Sequence, residues 1–231
     1  MFDIKSIPVL DNSSLTTDIR DHLDDLTKPI GSLGYLEDCA FKYCLIRGAA
    51  DAGLNKKTVC TFAADHGVAE EKITPFPQEV TAQMVMNMAQ GGAAVSVMCA
   101  TASIDYFVVN MGVKAALPSH ERIIDKKILN GTKNFCLGPA MTSQECQVAM
   151  TKGMEVVENI NTDILGLGDM GIANTASSSA LYSMLLDINP DETVGPGTGA
   201  SGALLQRKRD CITHAVNKHL GEWDKTPIDA L

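Results

Sequence analysis

The chain has 231 residues, of which 45% are hydrophobic and 20% charged, so it can bury a sizeable core and wholesale disorder is excluded. Its formal net charge of -9 repels nucleic acid and anionic membranes, so any phosphate must be held by local groups rather than by a basic field. No run approaches the roughly 18 apolar residues of a membrane span, and the start, Met1-Phe-Asp-Ile-Lys-Ser-Ile-Pro8, lacks the apolar core of a secretory signal, which implies a cytoplasmic protein.

Residues 14–26 are polar and read as a helix. Residues 26–34 form a turn-rich loop punctuated by Pro29, Gly31 and Gly34. Residues 35–48 have helical spacing, with Leu36, Ala40, Tyr43 and Leu45 as the expected buried face. Three short apolar runs, at 58–64, 104–109 and 162–167, read as buried strands. Helical sequence separates them: a Met-rich segment at 81–90, an apolar one at 93–100, and a long helix at 142–160. The last is opened by Thr142 or Ser143, with Glu145 in its first turn. Met84, Met86 and Met88 read mainly as core. Strands alternating with helices imply an α/β fold, a parallel sheet with helices on both faces in a Rossmann-like three-layer arrangement. The expected organisation is a small N-terminal helical lobe at 1–50 and an α/β nucleotide-binding domain at 51–231.

Cysteines stand at 39, 44, 60, 99, 136, 146 and 211. Their number is odd and none forms a C-x-x-C pair, so reduced thiols are expected, with Cys60 and Cys99 as small core residues.

The residues that end each strand carry the functional signal. The first run ends in Ala64-Asp65-His66-Gly67, the second in Asn110-Met111-Gly112, and the third in Gly168-Asp169-Met170-Gly171. Ligands of open α/β sheets bind outside the carboxyl ends of the strands, so these polar residues beside glycines read as one composite site.

Gly168-Asp-Met-Gly-Ile-Ala-Asn-Thr175 follows a strand and precedes a helix expected at 176–186. Asn174 or Thr175 can cap that helix, and its free N–H groups suit a phosphate. An ordinary capped strand–turn–helix produces the same pattern. Gly195-Pro-Gly-Thr-Gly199 is either a second ligand loop or a stiff connector. Lys208, on the following helix, reads by itself as a solvated residue. His66 and Asp65 could act as a base or a hydrogen-bonding pair, and no further ligands at metal spacing accompany them, so neither a metal nor a cofactor is expected. His214 and His219 are expected to be exposed. Phe76 and Gln83 lie near the Met-rich segment, where methionines adapt to flat aromatic rings.

Four segments carry a resemblance to a known family. They are Leu26-Thr-Lys-Pro-Ile-Gly-Ser-Leu-Gly-Tyr-Leu-Glu37; Ala64-Asp-His-Gly-Val68 with Pro77-Gln-Glu-Val-Thr-Ala-Gln-Met84 and Gly91-Gly-Ala-Ala94; Gly131-Thr-Lys-Asn-Phe135 with Gly138-Pro-Ala-Met141; and Gly168 to Thr175 with Val194-Gly-Pro-Gly-Thr-Gly199. In this order they resemble the nicotinate-nucleotide–dimethylbenzimidazole phosphoribosyltransferases of cobamide lower-ligand assembly. The resemblance implies transfer of the phosphoribosyl group of nicotinate mononucleotide to 5,6-dimethylbenzimidazole or a similar aromatic N-heterocycle, giving an α-linked ribotide and nicotinate. It also implies a homodimer. By this analogy Gly171, Asn174, Thr175, Gly197, Thr198, Gly199 and Lys208 position the nucleotide and its phosphate. Phe76, Gln83 and Met170 line the base pocket, and Asp65 and His66 form the site floor.

Three departures from the family pattern qualify what it implies. Asp169 stands where the family has glutamate, which retracts the carboxylate by about 1.5 Å, and misplacement on that scale can cost about a hundredfold in rate. Asn110 stands where an aspartate is common. The chain ends at Leu231, whereas family members continue with further strands and a Gly-Glu-Gly-type segment whose glutamate is the expected catalytic base; Asp169 is the carboxylate left to stand in for it. The alternative is therefore a non-catalytic nucleotide-binding or assembly subunit, or a chain that completes its site with a partner carrying the C-terminal segment.

Overall fold

The computed structural model describes Leu10 and residues 13–231; the N-terminal stretch read above for a secretory signal lies outside the described residues. The chain divides into two compact units, one ending at Asn55 and one running from Lys56 to Leu231.

In the first unit, α1 (Ser13–Asp25) packs against α2 (Tyr35–Arg47). The 26–37 segment turns between them and ties itself off locally: Glu37 Oε1 accepts from the Leu33 N–H at 3.0 Å and pairs with Lys28 Nζ at 3.0 Å. These contacts, the backbone N–H first, hold the Glu37 carboxyl below the usual carboxylate range. α2 stops at Gly48, whose φ of 73° is the left-handed conformation that glycine adopts without penalty. The expected buried face of α2 needs correction. Leu36 is 65% exposed, and Ala40, Tyr43 and Leu45 are only half-buried. Spacing selects a face, but two helices give little surface to cover it. Ile19 is the only fully buried side chain among the described residues of this unit.

The second unit is built on four parallel strands in the order β3-β2-β1-β4: β1 (Lys57–Ala64), β2 (Asp105–Gly112), β3 (Ile123–Asp125) and β4 (Ile164–Met170). Three of these follow the apolar runs. β3 is three residues long, too short for a periodic signal. Alternation along the strands sends side chains to opposite faces. Val59, Ala63, Tyr106 and Val108 share one core with Val85 and Met88 of α3 (Val80–Ala89) and Cys99 of α4 (Ala94–Thr101). Cys60, Phe62, Phe107 and Val109 face the other way, toward Val156 of α5 (Ser143–Glu158). Helices therefore cover both faces, and Cys60 and Cys99 are core residues. α5 is opened by Thr142 rather than Ser143, in a reciprocal capping box with Glu145.

A third apolar cluster lies past the carboxyl ends of the strands. It joins Val68 of the 3-10 turn Gly67–Glu71 to α6 (Asn174–Leu186) and α8 (Gly202–Leu220), with the one-turn α7 (Pro190–Thr193) between them and α9 (Pro227–Ala230) last. β4 is an edge strand, and its Leu167 is 70% exposed. No helix among the described residues is long and apolar enough to cross a membrane.

Candidate functional site

Asp65 follows β1 and is 3% exposed. Its N–H donates to Gly112 O at 3.1 Å, and its Oδ2 accepts from the Lys114 N–H at 2.7 Å. One residue thus stitches the carboxyl ends of β1 and β2 together. Its Oδ1 is buried without a partner. His66 is half-buried and reaches across to α6, where Nδ1 pairs with Ser177 Oγ at 3.1 Å. Its Nε2 is buried and unpartnered. Burial pulls the His66 imidazole below its usual range, and the charges of Asp169 and then Asp65 pull the other way. The His66 carbonyl accepts from Gln78 Nε2 at 3.1 Å.

Glycines allow these strand ends to close on one another. A Cβ on Gly171, just past β4, would run into Ala64 O and lie 2.9 Å from the His66 ring. A Cβ on Gly131 would lie 2.6 Å from Asp65 O, and the neighbouring Thr132 N–H donates to that same carbonyl at 3.0 Å. The Ile172 N–H donates to Thr81 Oγ1, a fully buried hydroxyl on α3, at 3.0 Å. Asp65, His66, Gly171 and the 131–134 segment therefore form one tight cluster.

A second cluster stands beside it. α6 starts at Asn174, two residues earlier than expected, and neither Asn174 nor Thr175 caps it. The cap position is Ala173, in a left-handed conformation (φ 72°) with no side-chain cap. Both expected caps are engaged elsewhere. Asn174 Nδ2 donates to Asp169 Oδ2 at 2.6 Å, and Thr175 Oγ1 accepts from Lys208 Nζ at 2.7 Å. Lys208 also donates to Gly195 O at 3.0 Å and is 3% exposed, so its ammonium is a buried anchor rather than a solvated group. Burial lowers its pKa. Gly197 (φ 54°) sits directly against this pair: a Cβ there would lie 2.7 Å from Thr175 Oγ1 and 3.2 Å from Lys208 Nζ. Thr198 and Lys208 share a narrow cleft with Asn174, Thr175, Thr74 and Pro75. Gly199 is exposed, at φ 105°.

Asp169 is exposed on the β4 edge, while Met170 is half-buried and packs against the α3–α4 core. Phe76 is nearly half exposed, and Gln83 is exposed on α3. No hydrogen bond draws these two into either cluster. Asn110 has a local reason to be an amide. Its Nδ2 donates to Asp125 Oδ1 at 2.8 Å while its Oδ1 accepts from the Val113 N–H at 2.9 Å. An ionised aspartate could not donate, and would set two carboxylates against each other. His219 is not exposed as expected; its Nε2 bonds to Phe135 O at 2.7 Å. Ser177 escaped the sequence reading, and Gln78 and Thr81 entered it only as part of the 77–84 segment, with no role of their own. Ser177 is one of three successive serines, and nothing in its spacing distinguishes it. Among the described residues, no group of three or more His, Cys, Asp or Glu side chains could hold a metal ion.

Residues 7–231 match a family model described as phosphoribosyltransferase. A nicotinate-nucleotide–dimethylbenzimidazole phosphoribosyltransferase of Nitratidesulfovibrio vulgaris (strain Hildenborough) is 42% identical over 218 residues, covering 91% of this chain and 61% of the relative. One of the same name from Pelodictyon phaeoclathratiforme is 44% identical over 206 residues, covering 88% and 58%. The crystal structure of CobT from Thermus thermophilus superposes with a TM-score of 0.84 at 37% identity, covering 94% of this chain and 66% of that one. The chain spans about three-fifths of the length of the curated relatives it matches. With these matches added to the loops at its strand ends, the chain belongs to the phosphoribosyltransferase family of the nicotinate-nucleotide–dimethylbenzimidazole enzymes.

Proposed function

We propose that this chain holds a nicotinate mononucleotide at the start of α6 and delivers its phosphoribosyl group to 5,6-dimethylbenzimidazole or a similar base. The observation that carries the reading is the Lys208 ammonium. It is buried between Thr175 Oγ1 and Gly195 O, at a cleft also lined by Asn174 and Thr198. A buried cation beside the start of a helix suits a phosphate in a chain whose overall charge would repel it. Gly171 keeps the backbone low, and the Gly197–Gly199 loop closes the same end.

In the reaction, a ring nitrogen of the base attacks C1′ from the face opposite nicotinate. The bond from C1′ to the nicotinate nitrogen breaks, and the base loses its N–H proton. Holding both partners in line is the larger task. In this reading Asp169, exposed and steadied by Asn174, takes the proton. Asp65 and His66 hold the floor through their bonds to Lys114 and Ser177. Phe76, Gln83 and Met170 are the proposed contacts of the base. A homodimer in the cytoplasm, and a helical lobe separate from the α/β domain, belong to the same reading.

Incubation with nicotinate mononucleotide and dimethylbenzimidazole, with α-ribazole phosphate followed by chromatography, tests the activity. Titration calorimetry with the mononucleotide alone tests the site. Heat of binding that Lys208→Ala abolishes supports the assignment. A folded chain that binds no mononucleotide sinks it.

A further inference from the structure

Two cysteines that lie 75 residues apart in sequence meet in the fold, and neither takes part in the reading above. Cys136, in the segment after Phe135, has its Sγ 2.8 Å from Cys211 Sγ on α8, and 3.7 Å from the Cys211 carbonyl oxygen. Both are thiols, Cys136 buried and Cys211 half-buried. The segment around them is fixed to α8 from several directions. Lys218 Nζ donates to Leu137 O at 2.6 Å, and His219 Nε2 bonds to Phe135 O at 2.7 Å. The two sulfurs are therefore held together by the surrounding structure and not by chance rotation.

We propose that Cys136 and Cys211 are a redox-active dithiol that hydrogen peroxide converts to an intramolecular disulfide. The hydrogen bond between the two sulfurs lowers the Cys136 thiol from its ordinary range, against the opposing effect of burial. The same contact, and then burial, push Cys211 up. Either sulfur can attack first; with Cys136 attacking, Cys211 is the resolving thiol. The Cys136 sulfur attacks one peroxide oxygen, the O–O bond breaks, and hydroxide leaves to become water. The Cys136 sulfenic acid is then attacked by the Cys211 sulfur. The S–O bond breaks, the S–S bond forms, and the Cys211 proton leaves with the second water. Two thiols and one peroxide give one disulfide and two waters. The sulfurs need to close to about 2.05 Å, less than one ångström of movement. Cys136 is 7% exposed, which admits a molecule as small as peroxide.

Cys211 lies three residues after Lys208 on the same helix, and so on the same face. The bond would pin the 134–138 segment to the helix that carries the Lys208 anchor. This inference is independent of the phosphoribosyl reading, because its test measures no activity.

Treat the folded wild-type chain with one equivalent of peroxide, alkylate the remaining thiols, digest without reduction and map the peptides by mass spectrometry. The expected result is a linked Cys136–Cys211 peptide pair, lighter by two hydrogens than its parts. The melting temperature should rise by about 10 °C, because the bond closes a long loop, and dithiothreitol should reverse the rise. Cys211→Ser should give neither the link nor the rise. The proposal fails if Cys39, the exposed cysteine, is oxidised while Cys136 and Cys211 both remain alkylated. It also fails if the same pair links equally well in denaturant, since the fold then contributes nothing.

Discussion

The neighbouring strands β1 and β4 end in similar sequence, an aspartate two residues before a glycine, yet their ends differ in character. At the end of β1, Asp65 is 3% exposed and His66 is bonded to Ser177 of α6 and to Gln78. At the end of β4, Asp169 is exposed and its side chain bonds locally, to Asn174 five residues on. β1 has a strand on both sides and helices over both faces, whereas β4 is an edge. A strand end inside the sheet becomes framework, and a strand end at its margin keeps its side chains available to a ligand. The same residue type is thus locked into the framework in one place and left exposed in the other.

That contrast can be broken most severely at the joint between the two ends. Gly171→Ala would drive a methyl group into Ala64 O and the His66 ring. The expected loss is about 3 kcal/mol, measured by urea unfolding; a loss under about 0.5 kcal/mol would show that the ends are not in contact. Lys208→Ala should cost about 2 kcal/mol, because it strips Thr175 Oγ1 and Gly195 O of a buried donor. It should also weaken mononucleotide binding by at least about tenfold, read by calorimetry at matched folded fraction.

His66 gives the inner end a pH signature. Burial lowers its folded-state pKa, so the unfolded chain, titrating near 6.5, binds the proton more readily. Stability should therefore fall as pH drops below about 6.5 towards the folded value, by up to about 1.4 kcal/mol per pH unit. Unfolding curves at pH 7.5 and 5.5 should show this dependence in the wild type, and it should be reduced in His66→Gln. Equal slopes would remove His66 from the account. The smallest stability effect belongs to the outer end: Asp169→Asn should shift unfolding by no more than about 0.5 kcal/mol. If Asp169 takes the proton, product formation should fall sharply while mononucleotide binding holds. Unchanged turnover would discard that role.

Much of the fold is legible in the sequence because the relevant signals are local. Apolar runs of strand length separated by helical spacing lead directly to the parallel sheet, and the glycines at the strand ends lead to the loops. The buried face of α2 is not legible, because periodicity says which residues share a face and nothing about whether a partner covers it. Nor is the start of α6, because capping assumes that the polar side chains are free, and Asn174 and Thr175 are committed to Asp169 and Lys208.

Sequence by itself determined the fold class and the resemblance to its family, since both rest on residue order, periodicity and spacing within short segments. Only tertiary structure decided that Lys208 is buried at the start of α6, that Ser177 holds His66, and that Cys136 faces Cys211. Each of these pairings closes a gap of 33 to 111 residues along the chain. No local propensity encodes contacts at that separation; packing of the elements around the sheet sets them.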